Sequence, residues 1–136
     1  MKKAEFKLDT YKFTRASIDF TIPNGAELCV SFHPHGLFHK KECRYELYFD
    51  VEVVSKETNT RVASVSCAAC FSFVENSIQG DIPEFFYPNS LAIIFPYIRA
   101  FISTISLQAN IQPIMLPTIN LMGLTEELKS RTEVID

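Results

Sequence analysis

Residues 43–55, CRYELYFDVEVVS, alternate along their whole length. Tyr45, Leu47, Phe49, Val51 and Val53 take one face, and Arg44, Glu46, Tyr48, Asp50 and Glu52 take the other. Strict period two with one apolar face is the pattern of an antiparallel strand that is wet on one side. Lys56-Glu57-Thr58-Asn59 is a polar turn, and residues 61–74 supply a second long strand, so the two form a hairpin. The second strand carries small side chains (Ala63, Ser64, Ser66, Cys67, Ala68, Ala69, Cys70) that let another surface approach closely. Upstream, Phe6 and Leu8, then Ile18, Phe20 and Ile22, recur at spacing two until Pro23-Asn24-Gly25 turns the chain. Leu28, Val30 and Phe32 alternate again. Residues 33–40, broken by Pro34 and Gly36, read as a polar crossover loop.

The second half reads as helix. Pro88 suits a first helical position, where its missing N–H is not needed. Leu91, Ile94, Phe95, Ile98, Phe101, Ile102 and Ile105 follow three-four spacing, and Ile93, Tyr97 and Ala100 widen the apolar arc. Pro96 either bends this helix or marks its start, and Asn110 ends it. Residues 111–121 are extended, with Pro113 and Pro117. Residues 124–131 form a short last helix, with Thr125 as the expected N-cap. Strands followed by helices with no linker between them predict one α+β domain over residues 1–136.

The 136 residues fit that single domain. A 47% hydrophobic and 21% charged composition excludes intrinsic disorder. Thirteen Lys+Arg against 16 Asp+Glu, a net charge of -3, excludes a simple basic nucleic-acid binder. Twelve Phe and 5 Tyr in so short a chain predict apolar surface left over for a subunit contact or a ligand groove. Between Phe85 and Thr125 the one charged side chain is Arg99, so that segment must pack against something. The first residues lack an apolar signal-peptide core, and residues 91–108 are interrupted by Pro96, Arg99 and three hydroxyl residues. Neither a leader nor membrane insertion is expected, and four cysteines fit a reducing compartment.

Few constellations carry chemistry. Cys67-Ala-Ala-Cys70 matches C-x-x-C but lies in a strand, where positions three apart face opposite ways, so two packed thiols are expected. His33, His35 and His39 fall within seven residues, with Cys29 and Cys43 near, but no recognised zinc spacing is present. Glu126-Glu127 read as a solvated helix face. No nucleophile elbow and no Gly-rich phosphate loop occurs. Neither enzyme activity nor a metal or other cofactor is expected.

Residues 87–99, YPNSLAIIFPYIR, resemble the long-helix signature of SecB-type export chaperones, roughly C-P-N-x-L-F-P-Y-A-R, with two extra residues before Phe95-Pro96-Tyr97. Residues 112–120, QPIMLPTIN, are similar to the family's F-P-x-L-x-L-x-P-V-N-F segment. Phe13-Thr14-Arg15 and Phe20-Thr21-Ile22-Pro23-Asn24 resemble its first strand and P-N turn, and Ala69-Cys70-Phe71-Ser72-Phe73 its G-I-F-S-I strand. The resemblance spans roughly residues 11–124.

It implies a four-stranded antiparallel sheet with one long and one short helix on one side. It also implies assembly as a dimer of dimers, and a cytoplasmic bacterial chaperone that holds unfolded clients in an apolar groove without ATP. The groove is expected where residues 32–38 meet residues 111–121 and the last helix, at Phe32, Leu37, Phe38, Ile119, Leu121, Met122 and Leu124. Leu37 and Phe38 are apolar in an otherwise polar segment, and Met122 is a flexible side chain suited to varied partners. The wide apolar arc of the helix predicts a subunit interface at Ile94, Ile98, Ile102 and Ile105. The family delivers clients to the SecA motor through acidic positions on the sheet. The matching positions here are Ser17, Thr21 and Ser64, none acidic, so weak SecA docking is expected. Two other readings stand beside export: a SecB-like chaperone dedicated to an antitoxin, and a small-molecule or metal-binding domain using the three histidines.

Overall fold

The structure is a computed structural model in which residues 5–74, 80–118 and 120–136 are described. Five strands and two helices follow in the order β1 (Phe6–Ile18), β2 (Leu28–His39), β3 (Arg44–Ser55), β4 (Arg61–Phe73), α1 (Phe86–Gln108), α2 (Leu121–Ser130) and β5 (Thr132–Ile135). The sheet order is β1-β4-β3-β2-β5. The first four strands are antiparallel, as expected. A fifth, β5, runs parallel to β2 from Gly36↔Thr132 to His39↔Ile135, so the sheet is mixed. Four residues with no alternating pattern gave no strand signal; they are held by register with β2.

Tyr45, Leu47, Phe49, Val51 and Val53 are all buried, as the period-two reading requires. Below them Phe86 of α1 fills an aromatic cluster. Its ring centroid lies 4.8 Å from Phe6, 4.7 Å from Tyr45, 5.5 Å from Phe71 and 4.9 Å from Phe73. Helix α1 lays Leu91, Ile94, Phe95, Ile98 and Ile102 on the same core. It is long and apolar enough to cross a bilayer by length and composition, yet this stripe is buried inside the domain, which is the pattern of a core helix. Pro88 falls in the first turn. Pro96 lies within the helix, and the N–H it lacks would have bonded the carbonyl of Ala92; both residues are exposed, so that carbonyl is open to solvent and not buried unpaired.

Two expectations are corrected. Residues 33–39 are not a crossover loop; β2 runs unbroken through them. Gly36 donates its N–H to Arg131 O and Lys40 to Ile135 O, so even-numbered residues of β2 present their N–H to the outer edge. Pro34 sits on that side, where a missing donor costs nothing within the sheet. Gly36 is there because Tyr45 crosses it. The true crossover is residues 19–27, joining β1 at one edge to β2 near the other. The second correction is at α2. Asn120, not Thr125, caps it, accepting from the N–H groups of Met122 (3.2 Å) and Gly123 (3.5 Å). Thr125 lies inside the helix and donates back to Leu121 O.

Candidate functional site

One concavity among the described residues has a volume of about 530 Å³. Three pieces of chain make it: the crossover, with Phe20, Ile22 and residues 23–26; the start of β2, with Leu28 and Val30; and residues 111–117 between the helices. Among the described residues no lining side chain is charged.

Each wall is held by local chemistry. In the crossover the Asp19 carboxylate accepts from the Thr21 N–H (3.1 Å) and hydroxyl (2.6 Å). These bonds hold its pKa below the ordinary carboxylate value. Ala26 N–H then bonds Pro23 O across a turn whose third residue, Gly25, has φ +81°, a conformation glycine adopts without strain. On the other wall, α1 ends in a Schellman motif. Asn110 is left-handed (φ 63°), Ile111 N–H reaches Ser106 O and Asn110 N–H reaches Leu107 O. The buried Ser106 hydroxyl then donates to Ser103 O (2.8 Å) and accepts from Ile114 N–H (2.9 Å). Beyond it Ile114 and Leu116 plug into the core, while Met115 between them stays 63% exposed. A segment with two Pro is thus pinned at alternate residues and presents the others to the cleft.

The floor ends at a free strand edge. β5 covers β2 only from Gly36 onward. Leu28, Val30 and Phe32 have no backbone partner on that side among the described residues.

The expected groove residues scatter. Phe32 is half-buried below the cleft, edge-on to Phe49 (6.2 Å) and Phe95 (5.7 Å). Phe38 is 1% exposed and belongs to the core, packed edge-on to Phe73. Leu37 lies on the opposite face of the sheet. Leu121 and Leu124 pack against the core from α2, and Met122 is 80% exposed on its outer side. Ile119 lies outside the described residues. Residues 111–117 of the segment after α1 line the concavity, and the wall facing them is made by Phe20, Ile22 and residues 23–26. In the sequence the turn is marked by Asp19-x-Thr21 and Pro23-Asn24-Gly25, while Phe20 and Ile22 keep the spacing of a strand.

The expected subunit residues Ile94, Ile98 and Ile102 are at most 2% exposed within one chain, with Ile105 half-buried, so their face is spent on the chain's own sheet. A second stripe faces outward: Ile93, Tyr97, Ala100, Thr104 and Leu107, again at three-four spacing. Tyr97 stacks on the equally exposed Tyr11 of β1 at 4.4 Å.

The histidines do not converge. His33 is exposed, His35 stacks on Tyr48 at 5.1 Å, and His39 lies 3.4 Å from Glu46. Among the described residues no group of three potential metal ligands is found. Cys67 and Cys70 point to opposite faces, and burial pushes the Cys67 thiol up to about 11.

A four-stranded antiparallel frame, a long helix beneath it and a pinned helix–helix connection facing the crossover define a SecB-like chaperone fold. The model of the family described as preprotein translocase subunit SecB matches residues 33–131. The chain belongs to the SecB family, whose members are chaperones and not enzymes. Among solved structures it is similar to the Rv1957 SecB-like chaperone of Mycobacterium tuberculosis, described in complex with a ChAD peptide from the Rv1956 HigA1 antitoxin. The TM-score is 0.69 at 12% identity over 85% of this chain and 88% of that one. Among curated proteins it is 41% identical over 70 residues to the uncharacterized protein MJ0357 of Methanocaldococcus jannaschii. The match takes in 52% of this chain and 44% of that relative, so it spans under half of the relative's length.

Proposed function

We propose that the chain is a cytoplasmic, ATP-independent chaperone that holds extended apolar segments of unfolded polypeptides in the cleft between the crossover and the α1–α2 connection. The observation that carries this reading is an open cleft of about 530 Å³ with no charged lining residue among those described, ending on an uncovered strand edge. Apolar client side chains entering it contribute about 25 cal/mol per Å² buried. The free edge of β2 offers main-chain bonds that any sequence can make. Promiscuity follows from both terms, because neither reads a particular side chain. The outward stripe of α1 is the surface by which copies assemble, and α1 together with Tyr11 replaces the Ile94, Ile98 and Ile102 face in that role.

A second reading, a chaperone dedicated to an antitoxin, is favoured by one observation. Ser17 and Ser64 are direct register partners on the outer sheet face, so the positions expected to dock a motor form an uncharged pair. The similar chaperone of M. tuberculosis carries an antitoxin peptide. A titration with a permanently unfolded, apolar-rich polypeptide tests the main reading. Wild-type protein should bind it and suppress its aggregation, and Ile22→Glu with Met115→Glu should weaken binding about tenfold or more. Binding unaffected by that pair would place the client elsewhere. Capture of one dominant client from lysate, in place of many, would select the dedicated reading.

A further inference from the structure

The outer edge of β2 is divided in two. Gly36 and, just past the strand, Lys40 send their N–H groups outward to Arg131 O (3.1 Å) and Ile135 O (2.8 Å). At the start of the strand Lys56 N–H reaches Glu27 O (2.9 Å), so the odd-numbered residues there face β3. Leu28, Val30 and Phe32 therefore turn both backbone groups to the outer edge, where they have no backbone partner among the described residues. Pro34 stands between the open and the covered stretch; it is buried and has no N–H to offer. Beyond it β5 is fastened at the end nearer Pro34. There Thr132 Oγ1 meets the Tyr45 hydroxyl at 2.7 Å and donates to Leu128 O at 2.7 Å. Glu133, Val134 and Ile135, further along, are exposed. At the opposite limit the crossover closes on Glu27, which pairs with Lys56 at 3.2 Å. The open edge is thus residues 28–33, bounded at both ends.

We propose that Pro34 and the fastened start of β5 form a stop that fixes the length of client strand this edge accepts, at one extended segment of about six residues. The inference rests on the reading of the cleft as a client site and names the class of segment it takes. A segment paired with Leu28, Val30 and Phe32 makes main-chain bonds at alternate residues. Alternate client side chains fall on the face where Leu28 and Val30 line the cleft, and those between them fall on the other face. The segment recognised is therefore apolar at every second position and indifferent at the rest. At Pro34 the ladder loses a donor, and the next N–H, that of Gly36, is already given to Arg131 O. A strand growing from the cleft also meets the fastened end of β5 first, not the loose one. It must break the Tyr45–Thr132–Leu128 chain before it gains a bond. Client residues beyond the sixth leave the sheet and add little affinity. A long unfolded chain is then held at one short segment, with the remainder free.

The test uses the full chain and capped, fluorescent peptides of alternating Leu and Ser, from about four to about ten residues long. Affinity is read by anisotropy and pairing by amide exchange. For wild type, affinity should rise about tenfold from the four-residue to the six-residue peptide and change less than about twofold beyond it. Bound peptide should slow exchange at Leu28, Val30 and Phe32 and leave Phe38 unchanged. Pro34→Val restores the missing N–H, and Glu133→Pro removes a donor at the residue of β5 that alternates with Arg131 and Ile135 in bonding β2. In that double variant the longest peptide should bind at least about tenfold tighter than the six-residue one. Should the variant not fold, the wild-type series and its exchange pattern decide alone. A wild-type affinity that keeps climbing with length, or a double variant that still levels off at six residues, overturns the stop. Peptides that bind without slowing those three amides overturn it too, while leaving the cleft reading intact. Binding by no peptide overturns the cleft reading itself and the stop with it.

Discussion

The hydroxyl of Tyr45 passes directly over Gly36. A Cβ built on that glycine would fall well inside contact with the phenol ring and its oxygen. The hydroxyl continues to Thr132 Oγ1 at 2.7 Å, and Thr132 bonds Leu128 O at 2.7 Å. One missing methyl on β2 thus lets a core side chain of β3 anchor the first residue of β5.

Gly36→Ala should therefore cost about 1–3 kcal/mol or more, because a buried ring must move. Tyr45→Phe should cost about 1 kcal/mol, the worth of its hydrogen bond. Denaturant unfolding checks both. Equal and negligible effects would show that β5 is held by its ladder alone.

Ser106 supports the cleft wall. Ser106→Ala strands the buried Ile114 N–H and should cost about 1–3 kcal/mol. It should also weaken client binding, because the 111–117 wall loses its pin. Amide exchange at Ile114 faster than in wild type is the expected signature.

The two faces of α1 should separate stability from assembly. Ile98→Asp places a charge at a site with no exposure and should destabilise the fold by at least about 3 kcal/mol. Tyr97→Asp, at a site 41% exposed, should keep the melting temperature within a few degrees while lowering the sedimenting mass. A monomeric wild type at micromolar concentration would remove the assembly surface altogether.

Glu46 gives the sheet an acid-sensitive element. Burial alone would raise its pKa, but the Tyr48 hydroxyl, donating at 2.9 Å, together with His39 and Arg44, holds it below the ordinary carboxylate value. A value lowered in the folded state stabilises above the unfolded pKa and stops doing so as pH falls through the folded one. At this partly exposed site the effect is below about 1 kcal/mol. The stability gap between wild type and Glu46→Gln should shrink steadily below about pH 4.5. A gap independent of pH would mean that the carboxylate is unpaired.

Thiol accessibility provides an inexpensive check of the sheet. The exposed Cys29 should react with a disulfide reagent at once, whereas Cys67, with its pKa near 11, should react only on unfolding.

Local periodicity determined the hairpin of β3 and β4, the inward face of each strand, and the existence and buried stripe of α1. Each of these is an alternation or a three-four spacing that a single element must satisfy wherever it packs. The Tyr87–Arg99 and Gln112–Asn120 motifs pointed to the family for a related reason: they encode a helix start and a pinned connection in contiguous residues. Tertiary structure alone decided the rest. Pro34 and Gly36 look like loop punctuation until the partners of β2 are known, because an edge forgives a missing N–H and a crossing tyrosine demands a missing Cβ. Phe20 and Ile22 have strand spacing but no strand partner beyond Ile18, and so become cleft wall. Phe38 and Leu37 are neighbours in sequence, yet the pleat sends one to the core and the other to the far face. β5 exists only because register with β2 supplies hydrogen bonds that its own four residues cannot specify. Which apolar residues are spent inside and which remain free for a partner is a property of pairing across the sheet, and pairing is not written in the period of any one strand.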